Sequence, residues 1–152
     1  MEGHTNTSRI IRQSRKVRLE KILQAAPAPV KPETSSIFDC LFLLAVHVPE
    51  AVIVTNRSGE IMWVNIGFTN LCGYTLREVI GKKPGPILQG PRTDPETIIR
   101  LRQAIRAGQP WDGEILNYKK DGEGYGASLM IRPVHDQGQL VGFVGVSSEL
   151  VQ

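Results

Sequence analysis

The chain has 152 residues, 41% hydrophobic and 22% charged, enough for one globular domain with a modest attached segment and too few for two full domains. Its longest wholly apolar run, Cys40 to Val46, falls far short of the roughly 20 residues that a membrane-spanning helix needs, and its polar, basic start does not read as a secretory signal. Two cysteines exclude a disulfide framework and argue against a structural zinc site, so a reduced, cytoplasmic setting is expected. The net charge of +3 is uneven: residues 1 to 32 hold 7 Lys/Arg against 2 Asp/Glu, and the remainder is slightly acidic. A basic segment of this kind is expected to be a solvated helix face, with an anionic surface or nucleic acid as the disfavoured reading.

From Ser8 to Ala26 the residues Leu19, Ile22, Leu23 and Ala26 follow i, i+3, i+4, i+7 spacing, with Arg12, Arg15, Lys16 and Lys21 between and before them. That is the pattern of an amphipathic helix that wants a partner surface. Pro27, Pro29 and Pro32 break it into an extended linker. A second helix is expected from Ser35 or Ser36 through Ile37, Phe38, Leu41, Phe42, Leu43 and Leu44 to about Val46. It is apolar almost all round, so it needs cover on two sides.

After Pro49 the period becomes that of strands: Ala51 to Thr55, a turn at Asn56-Arg57-Ser58-Gly59, then Glu60 to Val64. Phe68, Leu71 and Tyr74 predict a short helix, and Thr75-Leu76-Arg77-Glu78 is a capping box opening another, closed by Gly81. Lys82 to Pro91, with its prolines and glycines, reads as a structured loop or single turn. Asp94-Pro95 supplies an N-cap and the favoured first-turn proline for a helix over Pro95 to Ala107, with Ile98, Leu101 and Ile105 on one face. Three antiparallel strands complete the chain: Trp111 to Lys119, Tyr125 to Pro133, and Leu140 to Ser148. Two strands, a block of short helices and three strands make an α+β arrangement: a five-stranded antiparallel sheet with helices on one face and a pocket between the layers. Strand alternation turns Ile115, Asn117, Ala127, Leu129, Ile131, Phe143, Gly145 and Ser147 toward that pocket, facing Leu101 and Ile105.

Five short pieces in this order carry a resemblance: Ala51-Val-Ile-Val-Thr-Asn-Arg-Ser-Gly59, Val64-Asn65-Ile-Gly-Phe68, Cys72-Gly73-Tyr74, Glu78-Val-Ile-Gly81 and Gly142-Phe-Val-Gly-Val146. Together they resemble a PAS domain over about residues 47 to 149. On that resemblance residues 1–34 are a basic helix and linker, and residues 35–152 a PAS domain with its N-terminal flanking helix. The segments Leu88-Gln89-Gly90-Pro91-Arg92-Thr93-Asp94-Pro95 and Ile115-Leu116-Asn117-Tyr118-Lys119-Lys120-Asp121-Gly122 are similar to the light-sensing LOV branch, as found in bacterial signalling proteins.

The LOV resemblance implies a flavin-reactive cysteine in the loop Gly81 to Gln89, where this sequence has Pro84 or Gly85 instead. It further implies flavin contacts from Gln89 at the ring, Asn117 at its polar edge and Arg102 at the phosphate. A second strand asparagine is replaced by Ala127, and a last-strand glutamine by Ser147. Trp111, after Pro110, resembles the Pro-Trp pair of redox-sensing PAS domains that bind FAD. Haem is disfavoured, because the helix Pro95 to Ala107 offers no His, Met or Cys, while His47 precedes the first strand and His135 is expected in a turn.

No phosphate loop, metalloprotease motif, nucleophile elbow or buried carboxylate pair supports catalysis. The expectation is a non-enzymatic sensory module that cannot form a cysteinyl-flavin adduct. Its pocket is expected to be filled by its own side chains, with FMN or FAD as the alternative. Leu19, Ile22, Leu23, Ile37, Phe38, Leu41 and Leu44 are expected to form a homodimer seam. The output domain or partner protein is expected outside this chain.

Overall fold

The computed structural model describes residues 43–151. The chain divides into two units between His47 and Val48. In the first unit residues 43–47 are helical, and His47 Nδ1 donates to the Leu43 carbonyl at 2.8 Å. Leu44 is 39% exposed there. The start of this helix, the helix expected over Ser8 to Ala26, and the seam residues Leu19, Ile22, Leu23, Ile37, Phe38 and Leu41 lie outside the described residues.

The second unit runs β1 (Ala51–Asn56), β2 (Ile61–Val64), α1 (Ile66–Cys72), α2 (Leu76–Val79), α3 (Pro84–Leu88), α4 (Pro95–Arg106), β3 (Trp111–Tyr118), β4 (Gly124–Asp136) and β5 (Gln139–Glu149). The sheet order is β2-β1-β5-β4-β3 with every neighbouring pair antiparallel. This is the expected α+β architecture, in which the β1–β2 hairpin and the β3–β4–β5 meander meet through β1 and β5.

Asn56 fixes the first turn by accepting from the Ser58 and Glu60 N–H groups at 3.0 Å, while Gly59 takes the left-handed φ of 79°. Asn65 then anchors the first helix. Its Oδ1 accepts from Phe68 N as an N-cap and from Val52 N on β1, and its Nδ2 donates to the Glu50 carbonyl at 2.9 Å. Gly67 is needed where α1 crosses the chain entering β1, because a Cβ there would overlap the carbonyl oxygens of Pro49 and Glu50. Glu78 accepts from the Thr75 N–H and hydroxyl at 2.9 and 3.0 Å, which starts α2. Asp94 caps α4 by accepting from Thr97 N and Oγ1 at 2.9 and 2.6 Å.

Three details depart from the sequence expectation. Lys82 to Pro91 contains a helix, α3, because Pro84 sits at the start, where an N–H has no intrahelical partner, and Gln89 N closes the turn on Gly85 O at 2.8 Å. Strand β4 runs through Pro133 to Asp136. Strand β3 begins at Trp111, opposite Ile131, so beyond Ile131 one side of β4 has no strand to receive an N–H and proline is tolerated. His135 is therefore an exposed strand residue at the register shift of β4 and β5, and the turn is Gln137-Gly138, both at positive φ.

The core lies between the sheet and the helices in two blocks. One joins Ala51, Ile53, Ile61 and Val64 to Phe68, Cys72, Val79 and Leu88. The other joins Ile115, Tyr125 and Ala127, with Leu71, Leu101 and Leu129 packed against them. The inner positions of β5, Phe143, Gly145 and Ser147, run between the strands that carry the two blocks.

Candidate functional site

Cross-strand register sets the inner face. Ser147 of β5 pairs with Ala51 on one side and Leu129 on the other; Leu129 in turn pairs with Gly113. One step along, Gly145 pairs with Ile53 and with Ile131, which pairs with Trp111. Ile115 and Asn117, both buried, continue the face toward Ala127 and Tyr125. The structure thus puts Trp111, Ile115, Asn117, Leu129, Phe143 and Ser147 on one face of the sheet.

A Cβ added at Gly145 would make ordinary van der Waals contact with Leu129 Cδ1 at 3.9 Å and with Ile131 and Ile53 at 4.0 Å, all of them atoms of the sheet. Two residues along the same strand stands the Ser147 hydroxyl, 7% exposed as a residue and without a hydrogen-bond partner. A buried hydroxyl with no partner costs about 1 to 3 kcal/mol. At the sheet's edge the Trp111 indole lies over Gly113, where a Cβ would stand 2.8 Å from the ring.

Asn117 stands directly across the strands from Tyr125, a neighbour the sequence reading did not name. The inward parity of Tyr125 opposite Asn117 was the available signal. Burial pushes the Tyr125 phenol up to about 12, with Asn117 working the other way. Lys119 lies 5.6 Å from the centre of the Tyr125 ring and reaches Glu123 at 3.4 Å and Glu149 at 3.5 Å. Burial works against the Lys119 charge, but the two carboxylates outweigh it and its pKa is raised.

Two other expected contacts stand apart from this face. Gln89 follows α3, and its amide lies against Gly85, where a Cβ would be 3.3 Å from Nε2 and Oε1. Arg102 is exposed on α4. Pro84 and Gly85 form the first turn of α3. Cys72 is almost fully buried in α1, its thiol donating to the Phe68 carbonyl at 3.1 Å, and burial raises its pKa. Cys40 lies outside the described residues. Among the described residues no group of three His, Cys, Asp or Glu is placed to hold a metal ion, and no helix is long and apolar enough to cross a membrane.

An open depression of about 420 Å³ lies over β3, β4 and β5, lined by residues 112–114, 128–130 and 146–148, so that outward positions such as Asp112, Glu114 and Met130 are interleaved with the inward positions Gly113, Leu129 and Ser147. Arg132 grips the Asp112 carboxylate at 2.7 and 2.9 Å and holds its pKa below the ordinary value.

A five-stranded antiparallel sheet with short helices packed over one face defines a small α+β fold. The chain belongs to the PAS domain family, which it matches over residues 49–150. It is similar to rice (Oryza sativa subsp. japonica) phototropin-1A, with 41% identity over 97 residues, covering 63% of this chain and 10% of that protein. The chain thus spans about a tenth of the length of the rice phototropins 1A and 1B. Among solved structures it is similar to the LOV domain of a blue-light-activated histidine kinase from Erythrobacter litoralis. There the TM-score is 0.65 at 32% identity, over 70% of this chain and all of that one. It is also similar to a light-oxygen-voltage domain from a flavin-analogue study, with a TM-score of 0.68 and 29% identity over 77% of this chain and 90% of that one. The expected kinship with the LOV branch of the PAS family holds.

A flavin presents a polar ring edge that needs several donors and acceptors. Here Asn117 faces Tyr125, Ala127 offers no polar side-chain atom, and Gln89 lies against Gly85. Among the described residues the buried side-chain atoms without a partner are Thr55 Oγ1 and Ser147 Oγ. This set does not fit the ring edge of a flavin.

Proposed function

We propose that this chain is a cytoplasmic, non-enzymatic sensory PAS module that responds to pocket occupancy and dimerises through its N-terminal helices, without cysteinyl-flavin adduct chemistry. The observation that supports the reading is the first turn of α3, built from Pro84 and Gly85, where the LOV resemblance would put the reactive thiol at one or other of these two residues. The chain's cysteines are Cys40 and Cys72, and the Cys72 thiol is committed to its own helix. A signal then has to travel by contact: occupancy of the inner face alters the sheet, and the sheet's outer face passes the change to whatever packs on it. The dimer seam comprises Leu19, Ile22, Leu23, Ile37, Phe38, Leu41 and Leu44, of which Leu44 is described and partly exposed. The output partner is a signalling domain or protein of the kind that the light-activated kinases join to their sensors.

The second reading is a flavin-binding light or redox sensor without adduct chemistry, using FMN or FAD. Its support is the similarity to blue-light photoreceptors and the retained Gln89, Arg102 and Asn117.

The deciding measurement is a visible absorption spectrum of the purified chain, before and after incubation with FMN or FAD and desalting, in darkness and under blue light. The expected result is a protein that stays colourless. A retained blue absorption band that survives illumination selects the second reading, and a band that bleaches reversibly overturns both. Sedimentation of the full chain with Leu19→Glu and Ile22→Glu separates the dimer from the pocket: the substituted chain is expected to be monomeric, and an unchanged mass overturns the seam.

A further inference from the structure

We propose that the outer face of α4 docks an acidic segment of a partner protein, with Ile99 as the apolar contact and Arg102 and Arg106 gripping the partner's carboxylates. The face belongs to the helical layer, so this contact goes beyond the sensory reading and is independent of what the inner face of the sheet holds.

At about 3.6 residues per turn, α4 has two clean faces. Leu101 packs inward against Ile115, Tyr125 and Ala127, with Thr97 buried one turn before it. Ile99, Arg102, Gln103 and Arg106 follow i, i+3, i+4, i+7 spacing on the opposite side, and all four are exposed. Ile99 is 53% exposed near the mid-line of that face. A lone exposed isoleucine needs no account; this one is set among cations that lack counter-charges.

The charges of the two layers differ in kind. Every ion pair among the described residues uses Lys119 or Lys120 of the β3–β4 connection, or Arg132 of β4. From Ile66 to Arg106 the chain has seven Lys/Arg against three Asp/Glu, and none of those seven cations has an ion-pair partner among the described residues. Two of the three carboxylates are spent on helix caps, Glu78 on Thr75 and Asp94 on Thr97. The third, Glu96, lies in the first turn of α4, so the partner's carboxylates belong at the C-terminal half. Arg100 turns back to Thr97 Oγ1 at 3.2 Å. Arg102 and Arg106 are left, four residues and about 6 Å of helix apart, a spacing at which like charges repel and destabilise the helix. An acidic partner removes that repulsion, and guanidinium forks suit carboxylates.

The mixture of chemistries chooses among polyanions. A nucleic-acid backbone satisfies the arginines but strips water from Ile99 with no apolar return. Residues 1–32 hold 7 Lys/Arg against 2 Asp/Glu and are repelled by the same face. A protein segment with one aliphatic side chain beside two carboxylates matches all three residues. One helix face is a small area, so the complex is expected to be weak and salt-sensitive.

The test titrates the full chain with a synthetic helical peptide of Leu, Ala and Glu, its Gln-for-Glu counterpart, and a DNA duplex, followed by amide NMR and fluorescence polarisation. The Glu peptide is expected to shift the Ile99, Gln103 and Arg106 amides saturably, and the Gln peptide to bind roughly 10-fold more weakly. Arg102→Gln and Arg106→Gln are each expected to weaken the Glu peptide about 2- to 5-fold and to flatten its salt dependence. Ile99→Ser is expected to weaken it roughly 10-fold with the salt dependence unchanged. All three substitutions spare the inward face of α4, so melting is expected within about 4 °C of the parent. The proposal is overturned if the peptide leaves these amides unmoved, if Ile99→Ser binds it like the parent, or if the duplex binds α4 more tightly than the peptide does.

Discussion

Asn65 ties two elements together with one amide. It caps α1 through Phe68 N, pairs the otherwise unbonded Val52 N–H, and donates to the chain entering β1, all while almost fully buried. Asn65→Ala strands two buried N–H groups and removes a cap, so a loss of about 3 kcal/mol is expected in urea unfolding. Asn65→Asp keeps both acceptor contacts and loses only the donated ones, so it is expected to fall between; equal losses would mean the amide donors dominate. The sequence showed this residue as part of a family-like run, but its second bond, to Val52, depends on a contact across the hairpin that no local pattern encodes. The same limit hid Tyr125. Its inward parity was readable, yet its place directly opposite Asn117 follows from the β3–β4 register. Gly145 and Ser147 were legible as lining because alternation alone fixes their face. The unpaired state of the hydroxyl was not, since it reflects what the helices above fail to supply.

Among the elements, α3 was the least readable, because two prolines and a glycine look like a breaker whichever way they are read. Proline breaks a helix by its missing donor and its clash with the preceding turn, and neither applies in a first turn. The helical form makes the thiol question testable in place. Gly85 has a helical, not left-handed, backbone, and a Cβ there presses only on the far end of the Gln89 side chain at 3.3 Å. Gly85→Cys is therefore expected to fold with a stability change within about 1 kcal/mol of the parent. Pro84→Cys loses the favoured first-turn residue and is expected to cost slightly more. In either variant, if flavin is retained, blue light is expected to bleach its band reversibly through a new sulfur adduct. A retained but light-stable band in both would place the reactive position elsewhere in the chain. The long strands were read nearly to their ends, and the overrun of β4 past Pro133 has a simple cause: whether a proline ends a strand depends on whether a neighbour stands on its N–H side.

At the scale of the whole unit, the order β2-β1-β5-β4-β3 brings the β1–β2 hairpin and the β3–β4–β5 meander into one sheet, and a polar tie closes the other layer over it. Lys120, on the β3–β4 connection, pairs with Glu78 of α2, and its N–H donates to the Cys72 carbonyl at the end of α1 at 2.8 Å. Glu78 thus holds its own helix cap and a distant hairpin at once. The Lys120 ammonium first, then the Thr75 N–H and hydroxyl, hold its carboxyl down at about 2 from an ordinary 4.5. A carboxyl lowered on folding stabilises the native state above its unfolded value and loses that contribution as pH falls toward its folded one. The loss belongs between about pH 4.5 and pH 2. In this window the melting temperature of the parent is expected to fall more steeply than that of Glu78→Gln, which keeps an acceptor for Thr75 but has no charge to titrate. Above pH 6 the two curves are expected to run parallel, with the parent higher. The pair is exposed, so salt weakens it, and the gap is expected to narrow in about 1 M sodium chloride, where the Debye length is near 3 Å. A gap insensitive to both acid and salt would assign the tie to the Lys120–Cys72 backbone bond and leave the carboxylate as a helix cap alone.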